Sequence, residues 1–230
     1  MTDIVTCRQV TKTYQQGKVE VRALDRINLN VQTGSFIALA GPSGSGKTTL
    51  LNLIGGLDLP DSGDIQVDGQ AYADLSAARM ADLRLHKIGF VFQAYNLIPV
   101  LSAVENVEYV MLLQGAPAAQ RRSKALQILD EVGLEGKYHR RPAELSGGQQ
   151  QRVAVARAIA ADPAIVLADE PTANLDSKTG ESLLQLMLRM NSERQVTFIF
   201  STHDTMVMDY ARRLVILKDG RIADEQTKSK

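Results

Sequence analysis

Apolar residues recur along this chain at two periods. Ile27, Leu29 and Val31 alternate with Asn28, Asn30 and Gln32, the pattern of a strand with one buried face. Gly34 breaks that run. Two short apolar runs follow, Phe36 to Ala40 and Leu50 to Ile54, the second stopped by Gly55-Gly56. Pro60-Asp61-Ser62-Gly63 then turns the chain into Ile65-Gln66-Val67, closed by Asp68-Gly69. These segments predict a small antiparallel layer built from residues 3–14, 19–32 and 64–72. Ile88 to Phe92 predicts another short strand, ending at Gln93.

From there the period becomes helical. Ser102 with Glu105 three residues on makes a capping box ahead of Val107 to Leu113, and Gly115 stops that helix. Ala118 to Val132 predicts a second helix, polar on one side and ended by Gly133. Residues 94–144 therefore read as a helical lobe inserted into a core made of residues 1–93 and 145–230. Strand and helix alternate after the lobe: helix 149–161, strand 165–168, helix 177–190, strand 196–201, helix 205–211. That order predicts an α/β fold with a parallel sheet covered by helices on both faces. Arg213 to Lys218 reads as one more strand, turned by Asp219-Gly220 into Arg221 to Ala223, with a polar, frayed end beyond.

The stretch between the first two apolar runs carries chemistry. Gly41-Pro42-Ser43-Gly44-Ser45-Gly46-Lys47-Thr48 is a full match to the phosphate-binding pattern G-x-x-x-x-G-K-[ST] in its strand–loop–helix context. Glycines let successive N–H groups turn toward phosphate oxygens, and the positive end of the following helix adds to them. Lys47 is placed to reach β- and γ-phosphates, and Thr48, with Thr49 behind it, to put a hydroxyl on Mg²⁺. Farther on, the wholly apolar run Ile165 to Ala168 delivers Asp169 and Glu170 to the carboxyl end of a buried strand, where open parallel sheets bind ligands. Two adjacent carboxylates there can divide the work, Asp169 in the metal shell and Glu170 orienting or deprotonating a water. Ser146-Gly147-Gly148-Gln149, after Leu145, opens a second helix with a capping serine and bare backbone donors, yet without a lysine.

Composition narrows the setting. In 230 residues, 44% hydrophobic and 23% charged, 26 basic side chains balance 26 acidic ones. No net field recommends nucleic acid or anionic lipid as a partner. A single cysteine, Cys7, excludes an internal disulfide and fits a reducing compartment. No apolar run approaches the length of a membrane span, and residues 1–9 lack a signal-peptide pattern.

Leu145 to Gln149 followed by Gln150-Gln151-Arg152 resembles the signature of the ATP-binding cassettes, the ABC-type ATPases. The resemblance extends over nearly the whole chain: Tyr14 at an adenine-stacking position, the phosphate loop, Gln93 at a strand end, the signature, Asp169-Glu170, Asn174-Leu175-Asp176, and His203 after a strand. It implies ATP and Mg²⁺ as cofactors, with Thr48, Gln93 and Asp169 at the metal and Glu170, His203 and Lys47 at the reacting phosphate. It also implies a head-to-tail homodimer in which each ATP lies between one subunit's phosphate loop and the other's signature. Ile88 to Gln93, Asn96 to Pro99, Glu105-Asn106-Val107 and Thr172 to Gly180 resemble the group that includes lipoprotein-releasing and macrolide-export ATPases. Members of that group work with an integral membrane permease bearing an extracytoplasmic domain, and sit on the cytoplasmic face of the membrane through it. The group's likeness leaves two functions open, export or extraction of a substrate, and signalling through a membrane partner to an extracytoplasmic enzyme. Arg212 departs from the aspartate the family often has there.

Overall fold

Alternation within short apolar strands decides how the layers stack, because successive side chains leave a sheet on opposite faces. The computed structural model describes residues 2–17 and 19–228. In chain order the elements are β1 (Asp3–Gln16), β2 (Val19–Gln32), β3 (Phe36–Ala40), α1 (Lys47–Ile54), β4 (Ser62–Val67), β5 (Gln70–Ala71), α2 (Ala77–Lys87) and β6 (Ile88–Val91). Then come α3 (Ala103–Leu113), α4 (Ala118–Glu131), α5 (Gly147–Ala160), β7 (Ile165–Asp169), α6 (Ser177–Arg194), β8 (Thr197–Thr202), α7 (Thr205–Tyr210), β9 (Arg213–Lys218) and β10 (Arg221–Thr227).

Two sheets result. One is four-stranded and antiparallel, in the order β2-β1-β4-β5; the other is six-stranded, β10-β9-β3-β8-β7-β6, with all neighbours parallel except β10 on β9. The expected α/β architecture with its antiparallel layer is thus present. Phe36, Ala38 and Ala40 face one side of the large sheet with Phe198, Phe200, Val166 and Ala168, under α3 to α6. Ile37 and Leu39 face the other, with Ile165, Leu167, Ile199, Val215 and Leu217, toward α1 and the antiparallel sheet. Phe36 packs tilted against Phe198 and Phe200, which stack on each other, with centroids 4.7–5.9 Å apart. Cys7, paired with Leu29 on β2 and Ile65 on β4, is wholly buried in the second cluster.

The elements differ from the expected ones in places. The sequence pattern assigned no element to residues 73–87, where α2 lies; only Met80 and Leu83 of it are buried, too few to register as a period. Ser76 caps it with a hydroxyl that accepts from the Arg79 N–H at 3.4 Å. α3 starts at Ala103, directly behind the capping box that Ser102 and Glu105 mark in the sequence. β10 continues to Thr227 instead of ending at Ala223, because pairing with β9 orders its polar residues; Ser229 and Lys230 lie outside the described residues.

Candidate functional site

Strand order gathers the site. β7, β8 and β3 are neighbours and parallel, so the segments leaving their carboxyl ends lie side by side: Asp169-Glu170, Thr202-His203 and the loop Gly41–Gly46. They border a cavity of about 640 Å³ lined by Pro42, Ser43, Gly44, Gly46, Lys47, Thr48 and Thr49 at its floor, by Gln93, Glu170 and His203 on one side, and by Tyr14, Val21, Arg22 and Ala23 on another. Gly41 and Ser45 shape the loop from behind.

The loop is built around Gly46, whose φ of +102° and closeness to the Ala23 carbonyl, 2.5 Å from any Cβ placed there, admit only glycine. Gly46 also stands at the N-cap of α1 and supplies no side-chain cap. The first N–H groups of that helix are consequently free for a ligand. Lys47 is 7% exposed, and its ammonium donates to the carbonyls of Gly41 (2.8 Å) and Pro42 (2.9 Å). Among the described residues it meets no carboxylate. A buried cation without a counter-charge is costly, and an anionic ligand in the cavity supplies one.

Next to it, the Thr48 hydroxyl donates to Asp169 Oδ1 at 3.0 Å. Glu170 sits in the left-handed region, φ +45°, its N–H bonded to the Ser201 carbonyl. Such a conformation costs a non-glycine residue on the order of 1–3 kcal/mol; here it turns the side chain into the cavity. Glu170 Oε1 lies 2.7 Å from His203 Nδ1, and Thr202 donates to Oε2 at 3.3 Å. The carboxylate is 15% exposed and the imidazole 70%. With its proton on Nδ1 the ring holds Glu170 and leaves Nε2 to the open side.

Tyr14 is 37% exposed at the far end of the cavity, and its hydroxyl donates to Asp58 Oδ2 at 2.8 Å. Gln93 is exposed, and its carbonyl accepts from the Asn174 side chain at 2.9 Å.

The signature stands apart. None of Ser146, Gly147, Gly148 and Gln149 borders this cavity. Ser146 and Gln149 close a capping box on α5: the Ser146 hydroxyl accepts from the Gln149 N–H at 3.4 Å, and Gln149 Oε1 from the Ser146 N–H at 3.1 Å. The two glycines have reasons within the chain. A Cβ on Gly147 would lie 2.8 Å from the Tyr95 hydroxyl, and one on Gly148 only 2.3 Å from Thr179 Cγ2. Gln151 ties α5 to the segment after β7 by donating to the Pro171 carbonyl at 2.8 Å. Arg157 donates to the carbonyls of Tyr95 (3.0 Å) and Asn96, fixing both in the left-handed region. Sequence reading did not single out Thr202, Arg157, Val21, Arg22 or Ala23, since none forms a pattern on its own.

A phosphate loop whose lysine lacks a counter-charge, with a carboxylate pair at the end of β7 across the intervening β8, defines a nucleoside triphosphatase of the P-loop class. The sequence settles which one: residues 24–173 match the ABC transporter family, and the chain belongs to it as an ATP-binding cassette. An ABC transporter ATP-binding protein of Methanocaldococcus jannaschii, MJ0796, is 46% identical over 97% of both chains. Its dimeric structure in a post-hydrolysis state with ADP and Pi superposes with a TM-score of 0.90 at 45% identity, over 97% of this chain and 98% of that one. The lipoprotein-releasing system ATP-binding protein LolD of Idiomarina loihiensis is 43% identical over 98% of this chain and all of its own. The macrolide export ATP-binding/permease protein MacB of Syntrophobacter fumaroxidans is 47% identical over 97% of this chain, which spans 32% of that longer protein. The chain is accordingly an ATPase, the ATP-binding part of an ABC transporter.

Proposed function

We propose that this ATPase drives export or extraction of a substrate through a separate membrane permease, working as a head-to-tail homodimer with a nucleotide at each of two shared sites. The observation that carries the reading is the cavity shared by the phosphate loop and the Glu170–His203 pair, with Asp169 bonded to Thr48 of its lining. Lys47 meets the β- and γ-phosphates and Tyr14 the adenine. Thr48 and Asp169 present hard oxygen donors 3.0 Å apart, the kind Mg²⁺ takes when phosphates and waters complete its shell, and Gln93 joins them. Mg²⁺, when bound, supplies charge neutralisation at the phosphates. Glu170 takes the proton of the attacking water or holds it in line, and His203 steadies Glu170 at the γ-phosphate. Ser146, Gly147, Gly148 and Gln149 close the partner's site, a role consistent with their absence from their own chain's cavity.

No helix among the described residues is long and apolar enough to cross a membrane. The chain reaches the cytoplasmic face of the membrane through its permease, which bears an extracytoplasmic domain, as the likeness to the lipoprotein-releasing and macrolide-export group suggests. An apolar groove of about 370 Å³ between Leu57, Leu85, Phe92, Tyr109 and Leu113 offers the permease a seat. In the segment after Gln93, Leu97, Ile98 and Leu101 are half-buried, Leu97 against the core, and the exposed large apolar side chain is Val100 at 72%.

Replacing Glu170 by Gln keeps the shape and removes the base. Single-turnover hydrolysis should slow by about 10²- to 10⁴-fold, with ATP retained and a dimer trapped on gel filtration. Near wild-type turnover would remove Glu170 from this role.

A further inference from the structure

Tyr14 is held by a network that no phosphate-binding pattern contains. Its hydroxyl donates to Asp58 Oδ2 at 2.8 Å, while Asp58 Oδ1 accepts from the Lys12 ammonium at 2.9 Å. That ammonium lies over the Tyr14 ring, 5.2 Å from its centroid, and donates again to the Leu59 carbonyl at 2.7 Å. Asp61 completes the clamp: Oδ1 is 3.5 Å from Lys12 Nζ, and Oδ2 accepts from the Thr13 N–H at 2.7 Å. Tyr14 borders the nucleotide cavity; Lys12 and Asp58 do not. The cation thus sits over the ring without itself bordering the cavity, whereas the ring does.

We propose that Lys12 and Asp58 are positioning residues that fix the plane of the Tyr14 ring, so that the base of the nucleotide stacks on a surface already in place. The proposal rests on the assignment of Tyr14 to the base. A tyrosine has two rotors, and an unanchored, partly exposed ring must be immobilised when a base stacks on it. Here one end of the ring is bonded and one face is occupied by a cation before the base arrives. Pre-organisation of this kind removes an ordering cost worth about 2- to 12-fold in affinity per side chain. The charge states suit it. Burial, followed by the bond to Asp58, pushes the Tyr14 hydroxyl upward, so it remains a donor. Against the upward push of burial, bonds from Lys12 and Tyr14 hold the Asp58 carboxyl below the usual carboxylate range, so it remains an acceptor. Lys12 and Tyr14 come from β1, whereas Asp58 comes from the connection after α1. The clamp thus joins the antiparallel sheet to the helix that carries the phosphate loop, and phosphate and base ends of the cavity keep a fixed spacing.

The test compares ATP with inorganic tripolyphosphate, which has the phosphates and no base, on the full chain. Asp58→Ala and Lys12→Met should each weaken ATP binding by about 2- to 12-fold and raise KM with kcat within about twofold, since the ordering cost falls on binding. Tripolyphosphate affinity should be unchanged, and Asp58→Asn, which keeps an acceptor for the hydroxyl, should recover most of the loss. In a Tyr14→Ala background, Asp58→Ala should have no further effect. Equal weakening of both ligands, or a loss that persists without Tyr14, would make the network merely structural and overturn the proposal. If Tyr14→Ala weakens ATP while neither Asp58→Ala nor Lys12→Met does, positioning alone is overturned. If Tyr14→Ala binds ATP as the wild type does, the base assignment falls and takes the proposal with it. Should Asp58→Ala fail to fold by thermal melt, Lys12→Met carries the comparison, with Lys12→Arg as its conservative control.

Discussion

A buried ammonium that finds only carbonyls is an unusual residue to keep, and Lys47 shows what it is kept for. Its two loop carbonyls satisfy its hydrogens without neutralising its charge. Replacement by Ala should weaken ATP by about 10- to 150-fold, the loss of charge-assisted hydrogen bonds, and should leave no ATP-bound dimer to accumulate, unlike Glu170→Gln. Titration with ATP and gel filtration on the same samples check both. The sequence made Lys47, Thr48 and the Asp169-Glu170 pair legible because each sits in a fixed spacing next to an apolar run. It did not make legible the left-handed backbone of Glu170, or Thr202 donating to it. Those depend on β7 and β8 lying side by side, a pairing between residues some thirty positions apart that no local pattern records. Lys12 and Asp58 were hidden for the same reason, being 46 residues apart in sequence.

At the scale of elements, the two helix starts that the sequence marks as suited to phosphate are built differently. α1 opens on a bare glycine, whereas α5 opens on a closed capping box. The second signature glycine has a packing reason besides any nucleotide. Gly148→Ala sets a methyl against Thr179 Cγ2 and should destabilise the fold by about 1–3 kcal/mol. Adding Thr179→Ser deletes that methyl while keeping the hydroxyl bonded to Asp176, so the thermal midpoint should recover in the double variant. The capping box of α3 gives a pH signature. Hydrogen bonds from the Ser102 hydroxyl and N–H hold the Glu105 carboxyl below its usual range. A carboxyl lowered by folding contributes stability above its unfolded pKa, about 4.3, and loses it as pH falls through the folded value. Ser102→Ala should therefore cost about 0.5–2 kcal/mol near pH 7, with the gap to wild type narrowing below about pH 4 in denaturant titrations, the bond from the Glu105 N–H to the hydroxyl being left. This box was visible from Ser102 and Glu105 alone. α2 was not, for its helicity rests on a cap and good helix formers, not on an apolar stripe.

For the whole molecule, the separation of signature from cavity sets a test of symmetry. Homodimers of Lys47→Ala and of Ser146→Arg should both be inactive, since each lesion falls in both shared sites. Mixing them gives a heterodimer in which one site carries both lesions and the other neither. ATPase activity, and nucleotide-dependent dimerisation scored with it, should return in the mixture. A signature acting within its own chain would leave every site with one lesion and the mixture dead. The overall architecture was legible from alternation and glycine punctuation, but not the strand order. Placing β8 between β3 and β7 is what brings the loop, histidine and carboxylates together.

Cys7 lies sealed where β1 meets β2 and β4. Burial, with the Asp64 carboxylate nearby, pushes its thiol up to about 12, and only the thiolate attacks electrophiles. The unaltered protein is in effect blank to maleimide reagents. A cysteine introduced at Val100 would be the sole handle for a fluorophore or spin label, and its signal could be followed while ATP, permease or a second subunit arrives, with wild type as the dark control.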